Sequence, residues 1–452
     1  MLIVCGYQQF TIRCTNVTLS HMLQFAYAIA CFVLVYLVAR VCCHIALRPW
    51  RAAAGQHWTQ RARLLFPARV TAVYCLITLP MDAFIYANVI NLHIVYTYDY
   101  WPPPLIAPWA VTLAALVAVI LAGEAVSREI RPGTRFGQFT RSTAAFTLFK
   151  YSPMLVILAA LVCMPGHFDT AAWVIAAVAA GVLIATQYGL MVAILGRLGL
   201  LKPADADLQQ LVDDISGKMG IPVRRTWVLP STLANAMALV VTREIVFTSA
   251  LLEKLTRQQI AAICAHELGH LSESAQVRHR RQLASLLFFP LIFITPALAM
   301  GNTFLLYFIA WLFIAGVLGR RIRKMAREME TRADQMAAAV NTPADLARAM
   351  ERLYEVNLMP AVIGRKRAVH PELYDRMTAA GITPDYARPL PPKRRSMLDN
   401  LLLAVLFFSV AIMTFQIQFH TSRDKRELRF TPQNQPWQTP NAVPNAGPQY
   451  NM

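Results

Sequence analysis

Long apolar blocks alternate with short polar and basic connections through most of this chain. Each block is close to the roughly 20 residues that a helix needs to cross the hydrocarbon core of a bilayer. The first block is too long for a removable signal peptide and lacks a small-residue cleavage site, so we expect it to be retained. The pattern predicts eight membrane-spanning helices, near residues 22–47, 69–91, 104–126, 146–165, 171–196, 283–300, 302–319 and 398–419.

Composition and charge agree with a membrane protein. Of the 452 residues, 56% are hydrophobic and only 15% are charged. Lysine and arginine concentrate in the connections 48–69 and 127–150, whereas 92–103 and 166–170 contain none. The positive-inside rule therefore predicts an external amino terminus and a cytoplasmic location for the polar regions around residues 201–282 and 320–397. The net charge of +18 restates this asymmetry and favours attraction to anionic lipid headgroups over nucleic-acid binding.

The carboxyl-terminal end does not fit the charge rule. Basic side chains at Arg423, Lys425, Arg426 and Arg429 would lie outside. Either the tail tolerates these charges, or the segment 398–419 does not cross the membrane. The proline, asparagine and glutamine content beyond it predicts a disordered tail.

A polar motif lies between the fifth and sixth predicted spans. The T-x-x-Q sequence at 256–259 has the form of a capping box, which predicts the start of a helix. On this helix, His266 and His270 would share one face and could bind one tetrahedral Zn²⁺. Glu267 is placed to take a proton from a water that the metal polarises. An H-E-x-x-H sequence can also occur by chance on a solvated helix face.

Two acids in a second helical stretch could complete this site. Glu330 could supply the third ligand of a His₂Glu site, leaving the fourth position open for water. Asp334, four residues later, could orient a ligand histidine. The same acids could instead balance the neighbouring arginines. Because two predicted spans separate the two motifs, we expect a tight turn at 300–302 to bring Glu330 back to the first helix.

Three short β-prone runs precede the histidine motif. They cover residues 226–229, 238–241 and 244–247 and predict a small sheet that contains a hairpin. An exposed edge strand there could pair with an extended peptide, or it could be purely structural.

Together, the motifs resemble the integral-membrane gluzincins, the family of the CAAX prenyl endopeptidases and the heat-shock membrane protease HtpX. The resemblance covers about residues 205–380. Its elements are A-N-A-M-A at 234–238, H-E-x-x-H at 266–270, E-x-x-A-D at 330–334 and H-P-x-x-x-x-R at 370–376. It implies one Zn²⁺ per chain, held by His266, His270 and Glu330. It also implies that Glu267 is the general base and that Asp334 holds a ligand in place.

The resemblance further implies roles for three residues outside the metal site. Asn235 and Arg376 would bind the substrate, and His370 would help to stabilise the oxyanion. The proline after His370 could equally mark a turn, and Arg376 could be one more positive-inside charge. Met237 stands where the family usually has phenylalanine.

The expected fold is mainly α, a polytopic membrane protein with about eight transmembrane helices. A small α+β zincin-like catalytic domain would be split by a transmembrane hairpin, an order that resembles the CAAX prenyl endopeptidase branch more than the shorter HtpX branch. The predicted domains are an N-terminal membrane domain (1–200), a catalytic subdomain with the edge strand and H-E-x-x-H helix (201–282), the hairpin (283–319), a second catalytic subdomain with the third ligand (320–397), a final membrane segment (398–419) and a disordered tail (420–452).

The expected function is a zinc-dependent membrane metalloendopeptidase that acts on protein or peptide substrates. These would be misfolded membrane proteins, or peptides with a lipidated or hydrophobic end. The alanine- and arginine-rich composition favours a bacterial inner (cytoplasmic) membrane, where quality control is the expected role. The open alternatives are a catalytically silent zinc-fold scaffold or chaperone and, from the span number alone, a transporter. Cys5 and Cys14 share the predicted exterior and could form a disulfide or remain free thiols.

Overall fold

The structure, a computed structural model, describes residues 2–98, 108–298, 302–364, 372–393 and 396–430. Most of these residues are helical, and four short strands form one sheet. In chain order, the elements are α1 (Leu2–Arg51), α2 (Trp58–Tyr98), α3 (Pro108–Ile130), α4 (Phe136–Cys163), α5 (Thr170–Gln187), α6 (Leu190–Arg197), β1 (Lys202–Pro203), α7 (Ala206–Met219), β2 (Arg225–Leu229), β3 (Ala236–Leu239), β4 (Glu244–Thr248), α8 (Ser249–Lys254), α9 (Arg257–Leu271), α10 (Ala275–Ser285), a 3₁₀ segment (Leu286–Phe293), α11 (Ile294–Leu298), α12 (Asn302–Val340), α13 (Pro343–Val356), α14 (Leu373–Ala379) and α15 (Met397–Phe430).

Candidate membrane spans confirm the multi-pass character of the chain. Among the described residues, five helices are long and apolar enough to cross a bilayer: Phe25–Arg51, Trp58–Ile90, Ala110–Ile130, Phe136–Leu161 and Thr170–Gln187. They correspond to the first five predicted spans. The fifth was predicted to continue to residue 196, but its helix ends at Gln187, and Gly189, with a left-handed φ of 95°, separates it from α6. The remaining three spans stay predictions.

The carboxyl-terminal helix differs from its predicted length. Its shorter apolar stretch, Met397–Met413, coincides with the predicted eighth span. The helix itself continues to Phe430, so the predicted disordered tail is wrong for residues 420–430. Residues 431–452 lie outside the described part of the chain.

The predicted sixth span is not a single helix. Residues 275–298 form α10, the 3₁₀ segment and α11 in succession. Pro290 lies inside the 3₁₀ segment and has no amide hydrogen, so a regular helix cannot pass through it without losing a hydrogen bond. Two side chains of α12 bind carbonyl oxygens of this segment: Tyr307 donates to Pro290 at 2.6 Å and Trp311 donates to Leu287 at 3.1 Å. These bonds satisfy polar groups that hydrocarbon could not.

Helix α12 links the predicted seventh span to the candidate site. Its 39 residues extend about 58 Å at the usual rise of an α-helix. The apolar first half is followed by the basic residues 320–324, and then by Glu330 and Asp334. The predicted turn at 300–302 falls mostly on residues 299–301, which lie outside the described residues.

The chain divides into two compact units. One contains Met1–Phe32, Ile77–Leu116 and Leu401–Met452, and the other contains Val33–Leu76 and Val117–Asn400. The second unit holds the sheet, α9 and all of the described candidate site residues. The domain boundaries proposed from the sequence stay predictions.

The sheet has the strand order β1-β2-β4-β3. The central strand β4 is fully buried, runs parallel to β2 and pairs antiparallel with β3. The sequence predicted a strand at 238–241, but β3 covers Ala236–Leu239. Residues 240–243 form a turn instead, in which Arg243 has a left-handed φ of 56°. Strand β3 lies at the edge of the sheet, next to β4. In this antiparallel pairing, Met237 of β3 lies opposite Val246 of β4.

One hydrophobic core supports the region that holds the candidate site residues. It joins buried side chains of α7, β4, α9 and α13, among them Val212, Phe247, Ile263 and Met350. Helix α9 thus has an apolar face in the core and leaves its histidine face toward α12.

Candidate metal centre

The histidine helix begins where its capping box predicts. The Thr256 hydroxyl accepts a hydrogen bond from the Gln259 amide at 3.3 Å, and the Gln259 side chain accepts one from the Thr256 amide at 3.0 Å. Both bonds satisfy amide groups that have no partner within the helix. Ile260, Ile263 and Leu268 are buried along α9, which fixes the rotation of the helix and hence the direction of its histidines.

A glycine and an alanine bring α9 and α12 into contact. A Cβ atom at Gly269 would lie 2.7 Å from the Cα of Ala333 and 3.0 Å from its Cβ. Ala333 is itself fully buried. Because only hydrogen occupies the Gly269 side-chain position, the two helix backbones can approach closely. Glu330, about one turn before Ala333, is thereby brought opposite His266 and His270.

Three side chains form a compact set of metal ligands. Ligand atoms of His266, His270 and Glu330 all lie within 4.8 Å of one another. Each histidine Nε2 is 3.6 Å from a different oxygen of Glu330. The His266, His270 and Glu330 side chains are only 6%, 11% and 12% exposed. Within the described residues, no other group of histidine, cysteine and acidic side chains has this geometry.

These residues fit a zinc ion. Zinc bonds to imidazole nitrogen and carboxylate oxygen are about 2.0–2.2 Å long, so tetrahedral ligand atoms lie about 3.3 Å apart. The observed separation of 3.6 Å needs only a small closure of the three side chains. Two histidines and one glutamate also leave a fourth position for water or substrate.

Asp334 lies behind His266. Its Oδ1 atom is 2.9 Å from His266 Nδ1, and it also accepts a hydrogen bond from Arg376. Burial lowers the pKa of His266, but hydrogen bonds with Asp334 and Glu330 outweigh this effect and raise the pKa to about 9. The contact of Asp334 with Nδ1 agrees with the expected role of this acid, which is to orient the ring so that Nε2 faces the metal position.

Glu273 has a comparable position beside the second histidine. Its Oε1 atom lies 3.7 Å from His270 Nδ1, and its side chain is 1% exposed. Sequence analysis missed this residue. The available signal was its position three residues after His270, a spacing that brings two side chains to the same face of a helix.

Glu267 and Cys264 occupy different surroundings on α9. Glu267 is partly exposed, as a group that exchanges protons with water must be, and its charge helps to raise the pKa of His266. Cys264 is fully buried, and burial raises the pKa of its thiol, which agrees with a packing role.

Asn235 lies at the start of β3, outside the ligand set. Its amide donates to Thr248 Oγ1 at 2.8 Å, and its carbonyl oxygen accepts from the Thr248 amide at 2.9 Å. The neighbouring Ala234 is held by Asn357, whose Oδ1 accepts from the Ala234 amide at 3.0 Å and whose Nδ2 donates to the Ala234 carbonyl at 2.7 Å. Asn357 is 2% exposed and thus clamps the segment that leads into the edge strand.

The roles expected for Asn235, His370 and Arg376 remain predictions. His370 falls among residues 365–371, outside the described residues. Arg376 lies beside Asp334, which adds an ion-pairing role to the substrate-binding role that the sequence implied. The side chains of Cys5 and Cys14 are also outside the described part.

Replacing Asp334 with asparagine is expected to weaken zinc binding by about 10- to 100-fold, because the neutral amide orients His266 less strongly. A competition titration with a chromophoric chelator would measure the change. Asp214→Asn is the matched control, since Asp214 is an exposed acid on α7. An Asp334→Asn protein that binds zinc as tightly as the wild type would show that Asp334 has no such positioning role.

The match to a protein-family model agrees with the geometry. Residues 203–382 match the family model described as Peptidase family M48. The matched region contains all three proposed ligands and the edge strand. Among solved structures, the crystal structure of S. mikatae Ste24p is similar, with 17% sequence identity and a TM-score of 0.45, covering 80% of this chain and 98% of that chain.

Proposed function

We propose that this chain, whose residues 203–382 match the model described as Peptidase family M48, is an integral-membrane zinc metallopeptidase that cleaves peptide bonds in substrates that reside in or at the membrane. The observation that carries the proposal is the buried set of His266, His270 and Glu330 on helices that follow five candidate membrane spans. The proposed substrates are misfolded membrane proteins and peptides with a lipidated or hydrophobic end.

The proposed mechanism assigns the proton transfers to Glu267. A zinc ion held by the three ligands would supply Lewis-acid polarisation of water and of the scissile carbonyl. The Glu267 carboxylate takes a proton from the attacking water and later passes it to the leaving amine. Its partial exposure allows contact with both water and substrate.

The edge strand β3 offers a backbone to an extended substrate. Asn235 forms two hydrogen bonds with Thr248 of β4. In an antiparallel pair, the backbone N–H and C=O groups of every second residue point toward the same neighbouring strand. The backbone groups of Ala236 and Ala238 therefore face away from β4. A substrate strand pairing with these groups would lie along α9 and bring its scissile bond toward Glu267.

Four other residues have proposed supporting roles. Asp334 positions His266, and Arg376 in turn holds Asp334 and contacts the substrate carboxylate or backbone. His370 helps to stabilise the oxyanion, and the Asn235 side chain helps to hold the substrate strand. These assignments follow the motif positions and, for Asp334 and Arg376, the contact between them.

The proposed orientation places the catalytic regions at the cytoplasmic face of a bacterial inner membrane. It is supported by the basic connections 48–69 and 127–150 and by the basic stretch 320–324. A site at this face meets chains that are in the membrane or anchored to it, which favours quality control over digestion of soluble proteins.

A matched pair of substrates tests this proposal. The same unfolded polypeptide would be offered to the zinc-loaded, full-length protein in lipid vesicles, once with a membrane anchor and once without it. We expect zinc-dependent cleavage of both and a lower KM for the anchored form, because anchoring raises the local concentration near the site. Product mapping by mass spectrometry would follow the reaction.

Two results would contradict the proposal. Equal KM values for the two forms would contradict the proposed preference for membrane substrates but would not contradict the peptidase activity. Binding of about one zinc per chain without cleavage of either form would favour the silent scaffold over the enzyme.

A further inference from the structure

A cavity lies in the same compact unit as the metal centre, and none of the metal ligands lines it. Its volume is about 630 Å³. Three basic side chains line it, from Arg131, Arg141 and Lys254, together with one acid, Glu253. The remaining walls include hydroxyl groups of serine and threonine. The charged side chains of the cavity therefore have an excess of positive charge.

The positive charges of this cavity lack neutralising partners. Arg131 donates to Asn357 Oδ1 at 3.2 Å, and Arg141 donates to the Gly199 carbonyl at 2.7 Å. Among the residues that the structure describes, no carboxylate lies within ion-pair distance of Arg131, Arg141 or Lys254. Burial lowers the pKa of Arg131, which reflects the cost of holding its charge away from water. An anion in the cavity would reduce this cost.

Hydrogen-bond donors in the walls suit an oxyanion with several oxygens. Ser142, Ser231 and Thr232 contribute hydroxyls, whereas the Ser249 hydroxyl already donates to the Ser231 carbonyl oxygen at 3.1 Å. Gln138 lines the cavity from the first turn of α4. The positive end of a helix dipole favours negative charge near that turn. Guanidinium, ammonium and hydroxyl groups together form the donor set that proteins use for phosphate.

The cavity also lies at the ends of two candidate membrane spans. The span Ala110–Ile130 ends immediately before Arg131, and the span Phe136–Leu161 begins within the cavity wall. The connection between them, residues 131–135, contributes Arg131, Gly133 and Thr134 to the lining. A phospholipid headgroup at the end of these spans would be within reach of the basic side chains.

From this arrangement we propose that the cavity binds a phosphate-bearing anion, supplied either by an anionic membrane phospholipid or by a soluble phosphate compound. The binding site is separate from the peptidase chemistry, and its occupancy does not depend on the proposed function.

The cavity wall continues directly into the substrate edge. Ser231 and Thr232 line the cavity and precede Ala234, which Asn357 holds by two hydrogen bonds. Asn357 Oδ1 accepts from both Ala234 and Arg131, so an anion that attracts Arg131 alters this clamp. Anion binding would thereby change the affinity of β3 for a peptide, and peptide binding would change anion affinity by the same factor. This coupling alone rests on the proposed function.

The test measures binding directly on the full-length, zinc-loaded protein. Native mass spectrometry from mixed micelles would compare phosphatidylglycerol with phosphatidylcholine. Calorimetric titration with inorganic phosphate and with glycerol phosphate would examine the soluble source. Variants Arg141→Gln and Lys254→Gln each remove one cavity charge, and Lys218→Gln removes an exposed charge on α7 as the matched control. We expect each cavity variant to weaken binding by about tenfold and the control to leave it unchanged.

The outcomes separate the sources from one another and from the alternatives. Phosphatidylglycerol binding that the cavity variants weaken supports a lipid source, and phosphate binding that they weaken supports a soluble one. Two results would overturn the proposed anion site. One is that the wild type and the cavity variants bind every probe with equal affinity. The other is that the protein does not prefer phosphatidylglycerol over phosphatidylcholine and also binds no phosphate.

The coupling has its own measurement. The KM for a cleaved peptide should differ between phosphatidylglycerol and phosphatidylcholine vesicles for the wild type and for Lys218→Gln, and this difference should be smaller for Lys254→Gln. If KM is the same in both kinds of vesicle while the cavity variants alter anion binding, the coupling is wrong but the anion site stands. If no peptide is cleaved under any condition, the proposed function fails while the binding measurement still decides the anion site.

Discussion

Replacing Glu267 with glutamine is expected to lower kcat by about 100- to 10,000-fold while zinc content stays near one per chain. Glutamine has nearly the same shape but cannot accept a proton from the attacking water. Glu267 is not among the three ligands, so the ligand atoms of His266, His270 and Glu330 remain in place. Zinc content by elemental analysis and single-turnover cleavage of an unfolded substrate would measure the two effects separately.

A matched substitution controls for loss of charge near the site. Glu328→Gln removes an exposed carboxylate on α12, two residues before Glu330, and should retain activity. If Glu267→Gln instead loses zinc, the residue contributes to the ligand set and the assignment of ligands is wrong. If it retains both zinc and activity, another group is the general base.

Local motifs of the site were predictable because their geometry depends on few neighbouring residues. The capping box at Thr256 and the four-residue spacing of His266 and His270 are both properties of a single helix. Glu330 was identified from its own motif, and the approach of α12 to α9 confirms that these ligands can meet. The sequence did not show why the two helices approach each other so closely. The contact is between Gly269 and Ala333, which are 64 residues apart, and the sequence around one does not indicate the other.

The fold was less predictable where a single residue changes the backbone path. Hydrophobicity alone extended a span through Pro290, but the 3₁₀ segment there depends on hydrogen bonds from Tyr307 and Trp311 on another helix. In the sheet, valines 240 and 241 favoured a strand, whereas the left-handed conformation of Arg243 ends β3 earlier. The Asn357 clamp on Ala234 connects positions 123 residues apart and therefore leaves no local signal.

Gly269→Ala tests whether the close contact of α9 and α12 holds the metal site together. Alanine in the interior of a helix normally stabilises a protein by about 0.5–1 kcal/mol relative to glycine. Here the added Cβ would lie 2.7 Å from the Ala333 Cα, and a backbone atom cannot move aside as a flexible side chain can. We expect overpacking to reverse the sign and lower the free energy of unfolding by about 1–3 kcal/mol.

The same substitution should weaken zinc binding, because separating the helices moves Glu330 away from the two histidines and metal sites tolerate displacements of only about 0.5 Å. Gly217→Ala on α7 is the control, since nothing lies within 4 Å of its added Cβ. Thermal unfolding in detergent, with and without zinc, should show a lower Tm for Gly269→Ala and an equal or higher Tm for Gly217→Ala. A different result would contradict this interpretation: both variants gain stability and bind zinc as the wild type does. In that case, α9 and α12 are farther apart than in the structure, and their close contact is not what places Glu330 at the metal site.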